Sequence, residues 1–302
     1  MKEVYALADL ESWAPEKTKT PIRLGVLGQP VAHSLSPEMQ NAALAESKLK
    51  MRYGRFEIAP DELQAAIQFW PQLDFLGANL TVPHKVAALD FIQDLDDSAR
   101  EIGAINTLKI ENGRLRGFNT DGKGFARAIR EEFAVDLRDL RILVLGAGGA
   151  ARAIARQCAK ENCERLVIAN RNADKAAALV DQLRPFFADP RVLGPVARLQ
   201  SIPLDDEALR SQIANTDLVV NATPLGLNRN DSPPVPARLL APHLMVYDTV
   251  YSRGLTNFVA AARGAGARAA NGLSMLLHQG GLAFEIWFDQ AAPLEAMRKA
   301  LL

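Results

Sequence analysis

The apolar positions along the chain follow two spacings, short β-type runs and helical stripes three or four residues apart. In the first part, the strand-like runs are IRLGVLG (22–28), YGRFEIA (53–59) and FLGANLTV (75–82), and helical patterns lie between them at 37–49 and 60–70. From Gly122 the alternation restarts, with strands predicted at 140–146, 165–170, 217–223 and 244–250 and helices at 122–133, 149–161, 173–183, 275–288 and 293–302. Strands that alternate with helices predict parallel sheets covered by helices on both faces.

One stretch departs from this alternation. Asn112-Gly113 joins β-type runs at 104–110 and 114–118, and Asn-Gly favours a tight hairpin because both turn positions adopt positive φ. The first part of the chain is therefore predicted to contain a mixed sheet and the second part a parallel, Rossmann-like sheet. Since 302 residues is about twice the length of a typical domain, we expect an α/β fold with two domains.

The amino-acid composition gives no support to some classes of binding partner. The chain has 35 Lys+Arg and 35 Asp+Glu, and this balance removes the usual electrostatic argument for a nucleic-acid or anionic-membrane partner. Its two cysteines, Cys158 and Cys163, are expected to be reduced thiols in or near a helix rather than a disulfide. The histidines show no metal-ligand spacing, the first twenty residues lack the pattern of a secretory signal, and no apolar run approaches the roughly 20 residues that span a bilayer. We expect a cytoplasmic enzyme with a small-molecule substrate and no metal.

A glycine-rich turn follows the strand predicted at 140–146. Gly146-Ala147-Gly148-Gly149-Ala150-Ala151 fits G-x-G-x-x-A and leads into the helix at 149–161. In this motif the first glycine makes the turn, the second lets the backbone approach a pyrophosphate, and the helix N-terminus supplies amide donors. A tight turn without a ligand is the alternative, but the strands and helix around it favour a dinucleotide.

The end of the next strand indicates which dinucleotide. An NAD site is expected to carry a carboxylate there for the ribose 2′-hydroxyl. This chain has Asn170-Arg171-Asn172, followed by Lys175. A cation and amides suit a 2′-phosphate, so the sequence favours NADP over the alternative of a solvated arginine at a strand exit.

Two hydroxyls before the first long helix are candidates for binding a carboxylate. Ser34 and Ser36 lie two residues apart, so in an extended loop their side chains point to the same side. Ser36 can instead cap the helix that Pro37 begins. Both roles are open at this point.

Lys85 and Asp121 are candidates for proton chemistry. Lys85 follows a predicted strand across Pro83, and Asp121 precedes the helix from Gly122; a solvated lysine and a helix-capping aspartate are the ordinary alternatives. However, six unusual segments lie just past the C-terminal ends of predicted strands, the edge where open α/β sheets bind ligands. They are residues 28–36, 80–85, 146–151, 170–172, 221–226 and 247–252. Their common position predicts a single cleft between the two domains.

Taken in order, these motifs resemble those of the shikimate dehydrogenase family, from about Ile22 to Trp287. The matching motifs are H-S-x-S-P at 33–37, N-x-T-x-P-x-K at 79–85, G-A-x-N-T at 103–107, N-T-D-G at 119–122, the glycine turn at 146–151, N-R at 170–171, N-A-T-P-L-G at 221–226, Y-D-x-x-Y at 247–251 and G-L-x-M-L-x-x-Q at 272–279. Several are short, but all of them occur in register. We expect a substrate-binding domain formed by 21–121 plus 272–302, an NADP-binding domain formed by 122–271, and a tail or short leading helix at 1–20.

The resemblance also implies a role for individual residues. Lys85 and Asp121 would form the catalytic pair, and Ser34, Ser36 and Tyr251 would bind the substrate carboxylate. The residues that would contact the ring hydroxyls are Thr81, Lys85, Asn106, Asp121 and Gln279. The residues that would contact the cofactor are Gly146, Ala147, Gly148, Gly149, Ala150, Ala151, Asn170, Arg171, Asn172, Lys175, Thr223, Pro224, Val250, Gly272 and Met275.

The implied activity is reversible, NADPH-dependent reduction of 3-dehydroshikimate to shikimate in aromatic amino acid biosynthesis, by a monomer or homodimer. Lys85 would donate to the ketone oxygen as it gains negative charge, and either member of the pair can hold the transferred proton. One alternative is a quinate/shikimate dehydrogenase with a broader substrate range or NAD use; Ser36 and the lack of an acid at 170–172 argue against it. Another is a non-catalytic NADP-binding regulatory protein, which would be expected to lack Lys85 or Asp121.

Overall fold

Two six-stranded sheets organise the chain, one in each of two structural units. The computed structural model describes residues 2–13, 19–188, 197–228 and 230–302. Unit 1 comprises Met1–Asp121 and Leu277–Leu302, and unit 2 comprises Gly122–Leu276. The predicted two-domain α/β class, with one mixed and one parallel sheet, is confirmed.

The sheet of unit 1 is mixed. Its strands are β1 (Ile22–Gly28), β2 (Arg52–Glu57), β3 (Gly77–Leu80), β4 (Asp94–Leu95), β5 (Thr107–Glu111) and β6 (Arg114–Phe118), in the spatial order β2-β1-β3-β5-β6-β4. Strand β1 pairs in parallel with β2 and β3, and the hairpin β5–β6 lies antiparallel beside β3. The hairpin turn is the predicted Asn112-Gly113, with φ values of 50° and 73°.

The sheet of unit 2 is parallel throughout. Its strands are β7 (Arg141–Leu145), β8 (Arg165–Asn170), β9 (Leu199–Pro203), β10 (Leu218–Asn221), β11 (Met245–Asp248) and β12 (Arg268–Asn271), in the order β12-β11-β10-β7-β8-β9. All residues of β10 and β11 are buried, because helices cover both faces of such a sheet. This burial explains the continuous apolar runs in the sequence.

Helices connect the strands of both sheets. The α-helices are α1 (Leu7–Glu11), α2 (Ser36–Glu46), α3 (Leu63–Phe69), α4 (His84–Ala87), α5 (Asp97–Ile102), α6 (Asp121–Phe133), α7 (Gly149–Lys160), α8 (Ala173–Leu183), α9 (Asp206–Ile213), α10 (Asn257–Gly264), α11 (Leu273–Phe288) and α12 (Leu294–Leu301). Short 3₁₀ helices lie at Pro60–Glu62, Trp70–Gln72, Ala88–Asp90, Leu137–Asp139, Arg184–Phe187 and Ala237–Leu239. Among the residues that the structure describes, no helix combines the length and apolar character needed to cross a membrane.

The leading segment contains the short helix α1 (Leu7–Glu11), in agreement with the second of the two expectations for residues 1–20, and packs on the rest of unit 1. Tyr5 stacks on Phe56 with ring centroids 5.3 Å apart and forms a parallel bridge with it, and Trp13 lies 5.2 Å from Phe75. Leu10 in α1 is only 1% exposed. Burial of these large apolar side chains offsets the entropy lost when the segment is ordered. The part of the expected tail at residues 1 and 14–18 lies outside the described residues.

Three strands have no counterpart among the predicted elements. They are β4, β9 and β12, and all three are edge strands. These three strands are short or mostly not buried, so their sequences carry a weak apolar pattern; the fourth edge strand, β2, has three buried residues and was predicted. The predicted reduced thiols are confirmed: Cys158 in α7 and Cys163 after it are buried and free.

Candidate active site

The side chains of Lys85 and Asp121 meet in unit 1. Lys85 is the second residue of α4, and Asp121 begins α6. The Lys85 Nζ lies 2.6 Å from the Asp121 Oδ2, and the two side chains are 17% and 3% exposed. The alternative of a solvated lysine therefore does not fit the structure. An ammonium with little hydration and a fixed carboxylate partner can donate to an oxygen that gains negative charge.

Asn106 fixes the orientation of the Asp121 carboxylate. Its Nδ2 donates to Asp121 Oδ1 and to Thr120 Oγ1, both at 2.8 Å, and its Oδ1 accepts from the Thr120 backbone N–H at 2.9 Å. The Asp121 backbone N–H donates to Asn119 Oδ1 at 3.0 Å. Asn106 is 1% exposed. Each oxygen of the carboxylate thus has its own donor, Lys85 or Asn106, and the carboxylate cannot rotate without breaking one of these bonds.

Gln279 reaches the same group of side chains from the C-terminal segment of unit 1. Its Oε1 accepts a hydrogen bond from Asn106 Nδ2 at 3.3 Å. The next residue, Gly280, accepts a bond from Gln40 Nε2 at 2.9 Å, and a Cβ at Gly280 would lie 2.1 Å from Met39 Cε. Helices α2 and α11 therefore pack closely here, with the Met39 side chain against Gly280, and Gln279 lies beside Asn106.

Two further residues support Asn106 although the sequence assigned them no role. Asn79 Nδ2 donates to the Asn106 carbonyl at 3.1 Å and to Thr107 Oγ1 at 3.0 Å, and Tyr53 donates to Asn79 Oδ1 at 2.8 Å. All four residues of β3, including Asn79, are buried. A buried amide requires hydrogen-bond partners, so an asparagine inside an apolar strand was the signal that could have identified this position.

Ser34, Ser36 and Thr81 also lie in unit 1, in segments that follow β1 and β3. The backbone N–H of Ser36 donates to Ser34 Oγ at 3.3 Å, and Arg55 Nη2 donates to the Ser34 carbonyl at 2.8 Å. The residue that precedes α2 is Leu35, and the helix has no side-chain cap. The capping alternative for Ser36 is therefore wrong, because Ser36 already lies in the first turn. Its hydroxyl is not engaged as a helix cap.

The glycine-rich turn of unit 2 has the geometry that a close backbone approach requires. Gly146 has φ of 111°, and a Cβ there would lie 2.9 Å from the Ala222 carbonyl oxygen; both observations favour glycine. Gly148 immediately precedes α7, and a Cβ there would meet no atom within 4 Å. The N-terminus of the 12-residue α7 therefore faces open space, as a site for a phosphate requires. Gly149 and Ala150 begin the helix, and Ala151 is fully buried against the sheet.

A pocket of about 520 Å³ lies beside this turn. It is lined by Ala147, Gly148, Asn170, Arg171, Asn172 and Lys175. The Asn172 side chain caps α8 by accepting from the Lys175 backbone N–H at 3.0 Å. Within the part of the chain that the structure describes, the exposed side chains of Arg171 and Lys175 have no hydrogen-bond or ion-pair partner. The pocket therefore offers two cations and a helix N-terminus to an anionic ligand.

A buried hydrogen-bond network shapes the segments past β10 and β11. Thr223 donates to Asn221 Oδ1 through its hydroxyl at 2.7 Å, Asn221 Nδ2 donates to Asp248 Oδ1 at 2.8 Å, and Thr256 donates to Asp248 Oδ2 at 2.6 Å. The Val250 backbone N–H donates to the same carboxylate at 3.1 Å. Burial raises the pKa of the Asp248 carboxyl above its ordinary value. The network holds the predicted contact residues Thr223 and Val250 in fixed positions.

The other three predicted cofactor contacts lie close to these segments. Pro224 accepts from the Leu227 backbone N–H at 3.1 Å and so begins a turn. A Cβ at Gly272 would lie 2.3 Å from the Thr249 carbonyl oxygen. The Met275 backbone N–H donates to the Tyr247 hydroxyl at 3.0 Å. The approach of α11 to the end of β11 within unit 2 therefore depends on the absence of a side chain at Gly272.

Tyr251 lies in unit 2, three residues past β11, whereas Ser34 and Ser36 lie in unit 1. Its role at the substrate carboxylate and the cleft between the domains stay predictions. Across residues 2–13, 19–188, 197–228 and 230–302, no group of three or more His, Cys, Asp or Glu side chains is placed to hold a metal ion.

Three family profiles match successive parts of the chain. They are described as "Shikimate dehydrogenase substrate binding domain" at residues 26–108, "Shikimate / quinate 5-dehydrogenase" at residues 127–225, and "Shikimate 5'-dehydrogenase C-terminal domain" at residues 272–302. Together they cover parts of both structural units.

Known proteins are similar over nearly the whole chain. The "Shikimate dehydrogenase (NADP(+))" of Methanopyrus kandleri is 41% identical over 281 residues, which are 92% of this chain and 94% of the relative. A crystal structure of a shikimate dehydrogenase in complex with NADP+ superposes with a TM-score of 0.83 at 35% identity and covers 94% of this chain and 95% of that chain. The Thermus thermophilus enzyme in complex with NADP(H) and shikimate gives a TM-score of 0.79 at 34% identity, covering 93% of this chain and 98% of that chain.

Proposed function

Because the chain belongs to the shikimate dehydrogenase family, we propose that it catalyses the reversible, NADPH-dependent reduction of 3-dehydroshikimate to shikimate in aromatic amino acid biosynthesis. The observation that carries this proposal is the Lys85–Asp121 pair, at 2.6 Å and nearly shielded from solvent. It also argues against a non-catalytic regulatory protein, since both groups are present and in contact.

Lys85 stabilises the oxygen of the reacting carbonyl. In the direction of reduction this oxygen gains negative charge, and the Lys85 ammonium donates a hydrogen bond to it and supplies the proton. Asp121 holds the ammonium in place through Oδ2, while Asn106 holds Asp121 through Oδ1. In the direction of oxidation the same pair accepts the proton of the hydroxyl.

The remaining polar groups of unit 1 orient the ring. Gln279 presents its amide to a ring hydroxyl, and Thr81 adds a hydroxyl. Asn106, which is bonded to both Gln279 and Asp121, orients these two side chains toward the ring. Ser34 and Ser36 bind the carboxylate through hydroxyl donors. These contacts set the ring position at which the carbonyl meets Lys85.

The residues of unit 2 fit an NADP ligand. The turn from Gly146 to Ala151 leaves room for a pyrophosphate at the start of α7, and a Cβ at Gly148 would be the first atom in that space. Arg171 and Lys175, which lie in the pocket beside the turn, bind the 2′-phosphate, and no acid stands at 170–172 to favour an unphosphorylated ribose. When bound, the cofactor supplies the hydride.

A spectrophotometric assay tests the proposal. Purified protein is expected to reduce NADP⁺ with shikimate faster than with quinate, and faster with NADP⁺ than with NAD⁺. Lys85→Ala is expected to lose about 10²-fold to 10⁴-fold in kcat, the range for a group that donates in the transition state, with a small change in KM.

Lys109→Ala is a matched control, since Lys109 is also a lysine of unit 1 paired with a carboxylate, that of Glu111 at 2.9 Å. It should retain kcat. Well-folded protein that fails to reduce NADP⁺ with shikimate overturns the function, faster oxidation of quinate overturns the substrate, and full turnover by Lys85→Ala overturns the role of Lys85.

A further inference from the structure

Helix α4, which carries Lys85, is too short to hold its own position. It contains four residues, His84–Ala87, and its preceding residue, Pro83, makes no side-chain cap. A single helical turn has little intrinsic stability, so contacts with the rest of unit 1 must determine where the Lys85 side chain begins. His84 is the one buried residue of this helix, whereas Val82 and Val86 beside it are 52% and 39% exposed.

The buried side chain of His84 makes one directed contact. Its Nε2 lies 2.8 Å from the carbonyl oxygen of Ile58, the residue that follows β2. A carbonyl oxygen only accepts, so Nε2 carries a proton. Burial lowers the pKa of the His84 ring, which favours the neutral Nε2–H form over the imidazolium. Nδ1 is buried and has no hydrogen-bond partner among the described residues. A histidine here leaves Nδ1 buried and unpaired, a cost that an apolar side chain of similar size would not have. What the histidine adds is the hydrogen bond from Nε2 to the Ile58 carbonyl.

Ile58, which supplies this carbonyl, is fully buried and bonded to the end of β1. The Ile58 backbone N–H donates to the Gly28 carbonyl at the end of β1 at 3.1 Å. The His84 backbone N–H donates to the Thr81 carbonyl at 2.8 Å, and the Lys85 carbonyl accepts from the Ile105 N–H at 2.7 Å. Hydrogen bonds to neighbouring segments therefore hold the backbone on both sides of the Lys85 Cα. On the N-terminal side, these bonds include the one from the His84 ring to the Ile58 carbonyl.

We propose that His84 is a positioning residue for Lys85: its Nε2–H bond to the Ile58 carbonyl fixes the start of α4, so that the Lys85 ammonium meets Asp121 and the reacting oxygen. The proposal rests on the proposed function and concerns the same site. It predicts an effect on the chemical step rather than on substrate binding, because the His84 side chain bonds the Ile58 carbonyl, whereas its bond to the ring-binding residue Thr81 is made by the backbone N–H, which a substitution leaves in place.

Kinetics of His84 variants test the proposal. His84→Phe keeps a flat ring and removes the donor; we expect kcat to fall about tenfold or more, since a displacement near 1 Å can cost up to about 10²-fold, while KM for shikimate stays within about twofold. His84→Gln, which can still donate to the Ile58 carbonyl, is expected to restore most of the lost kcat. An unchanged kcat in His84→Phe, or an equal loss in both variants, would overturn the proposal.

His243 offers a matched control in unit 2. Its Nε2 also lies near a backbone carbonyl oxygen, that of Ile213 at 3.2 Å, and it has no part in the Lys85 segment. His243→Phe should leave kcat within about twofold, and a loss equal to that of His84→Phe would show a general effect of removing a structural histidine.

Nitrogen-15 NMR of the unmodified protein tests the geometry without any variant having to fold well. At pH 7.5 the His84 resonances should show a proton on Nε2, and a neutral Nδ1–H tautomer, which leaves Nε2 without a proton to donate, would refute the inference. This result is independent of the activity assay: an inactive wild-type protein contradicts the proposed function, whereas an active protein with the wrong tautomer contradicts only the role of His84.

Discussion

Replacement of Asn106 by alanine is expected to lower both the free energy of unfolding and kcat, and a control variant separates the two effects. Asn106 is 1% exposed and bonds Asp121, Thr120 and Gln279. Its removal leaves at least three buried groups without their partners, the Asp121 Oδ1, the Thr120 backbone N–H and the Thr107 hydroxyl. Each such group costs about 1–3 kcal/mol, so we expect the free energy of unfolding of unit 1 to fall by about 3–9 kcal/mol. The freed carboxylate can rotate away from Lys85, so kcat should fall at least about tenfold.

Asn41 provides a control that loses hydrogen bonds without touching Asp121. Its side chain accepts from the Tyr53 backbone N–H at 2.8 Å and donates to the Tyr53 carbonyl at 3.0 Å, whereas the Tyr53 hydroxyl, which donates to Asn79, is left in place. Asn41→Ala leaves two polar groups without partners and should cost about 1–3 kcal/mol per group, with little change in kcat.

Tryptophan fluorescence during urea unfolding measures these free energies. The chain has three tryptophans, Trp13, Trp70 and Trp287, and all three lie in unit 1, so the signal reports the unit that contains the mutations. The reasoning is refuted if Asn106→Ala keeps its kcat while it loses stability, or if Asn41→Ala loses kcat to the same degree.

Three shorter predictions concern the cofactor pocket and pH. Arg171→Ala and Lys175→Ala should each raise KM for NADP⁺ about tenfold, the value for loss of about 1.4 kcal/mol of charge-assisted bonding, and should leave KM for NAD⁺ unchanged; an equal effect on both cofactors would contradict a 2′-phosphate contact. Gly146→Ala should destabilise unit 2 by about 1–3 kcal/mol through its positive φ and the approach to Ala222, as circular dichroism would show; wild-type stability would contradict the strain. Burial lowers the pKa of His84 below its ordinary 6.5, so the unfolded chain takes up the proton first and stability should decline as the pH falls below about 6.5; a His84→Gln protein with the same decline would assign it to other groups.

Local sequence signals were sufficient for elements whose conformation depends mainly on their own residues. The strand predicted at 22–28 and that at 165–170 have the observed bounds of β1 and β8, because each is a continuous apolar run buried in the interior of a sheet. Asn112-Gly113 predicts its hairpin because positive φ is a property of the residues themselves. The edge strands β9 and β12 were missed, since they are short or mostly not buried and carry a weak apolar pattern.

In the candidate site, too, the sequence predicted some features and missed others. The sequence identified Lys85, Asp121, Asn106 and Gln279 by resemblance to a family, but not how they contact one another. Lys85 and Asp121 are 36 residues apart in the chain, and Asn106 and Gln279 are 173 apart. Asn79, Asp248 and His84 received no role, because a buried polar residue becomes interpretable only when its hydrogen-bond partners are known.

By itself, the amino-acid sequence determined the interior strands of both sheets and the helices of eleven residues or more, the glycine turn before α7, the hairpin, and the kinds of chemical group available at the strand ends. These features depend on burial periodicity and backbone preference, which act over a few residues. The tertiary structure alone decided the strand order β2-β1-β3-β5-β6-β4, the packing of the leading segment on unit 1, and the bonds that orient Asp121 and Lys85. These three features depend on which distant segments of the chain pack against one another. That packing minimises the free energy of the whole unit rather than of any single stretch.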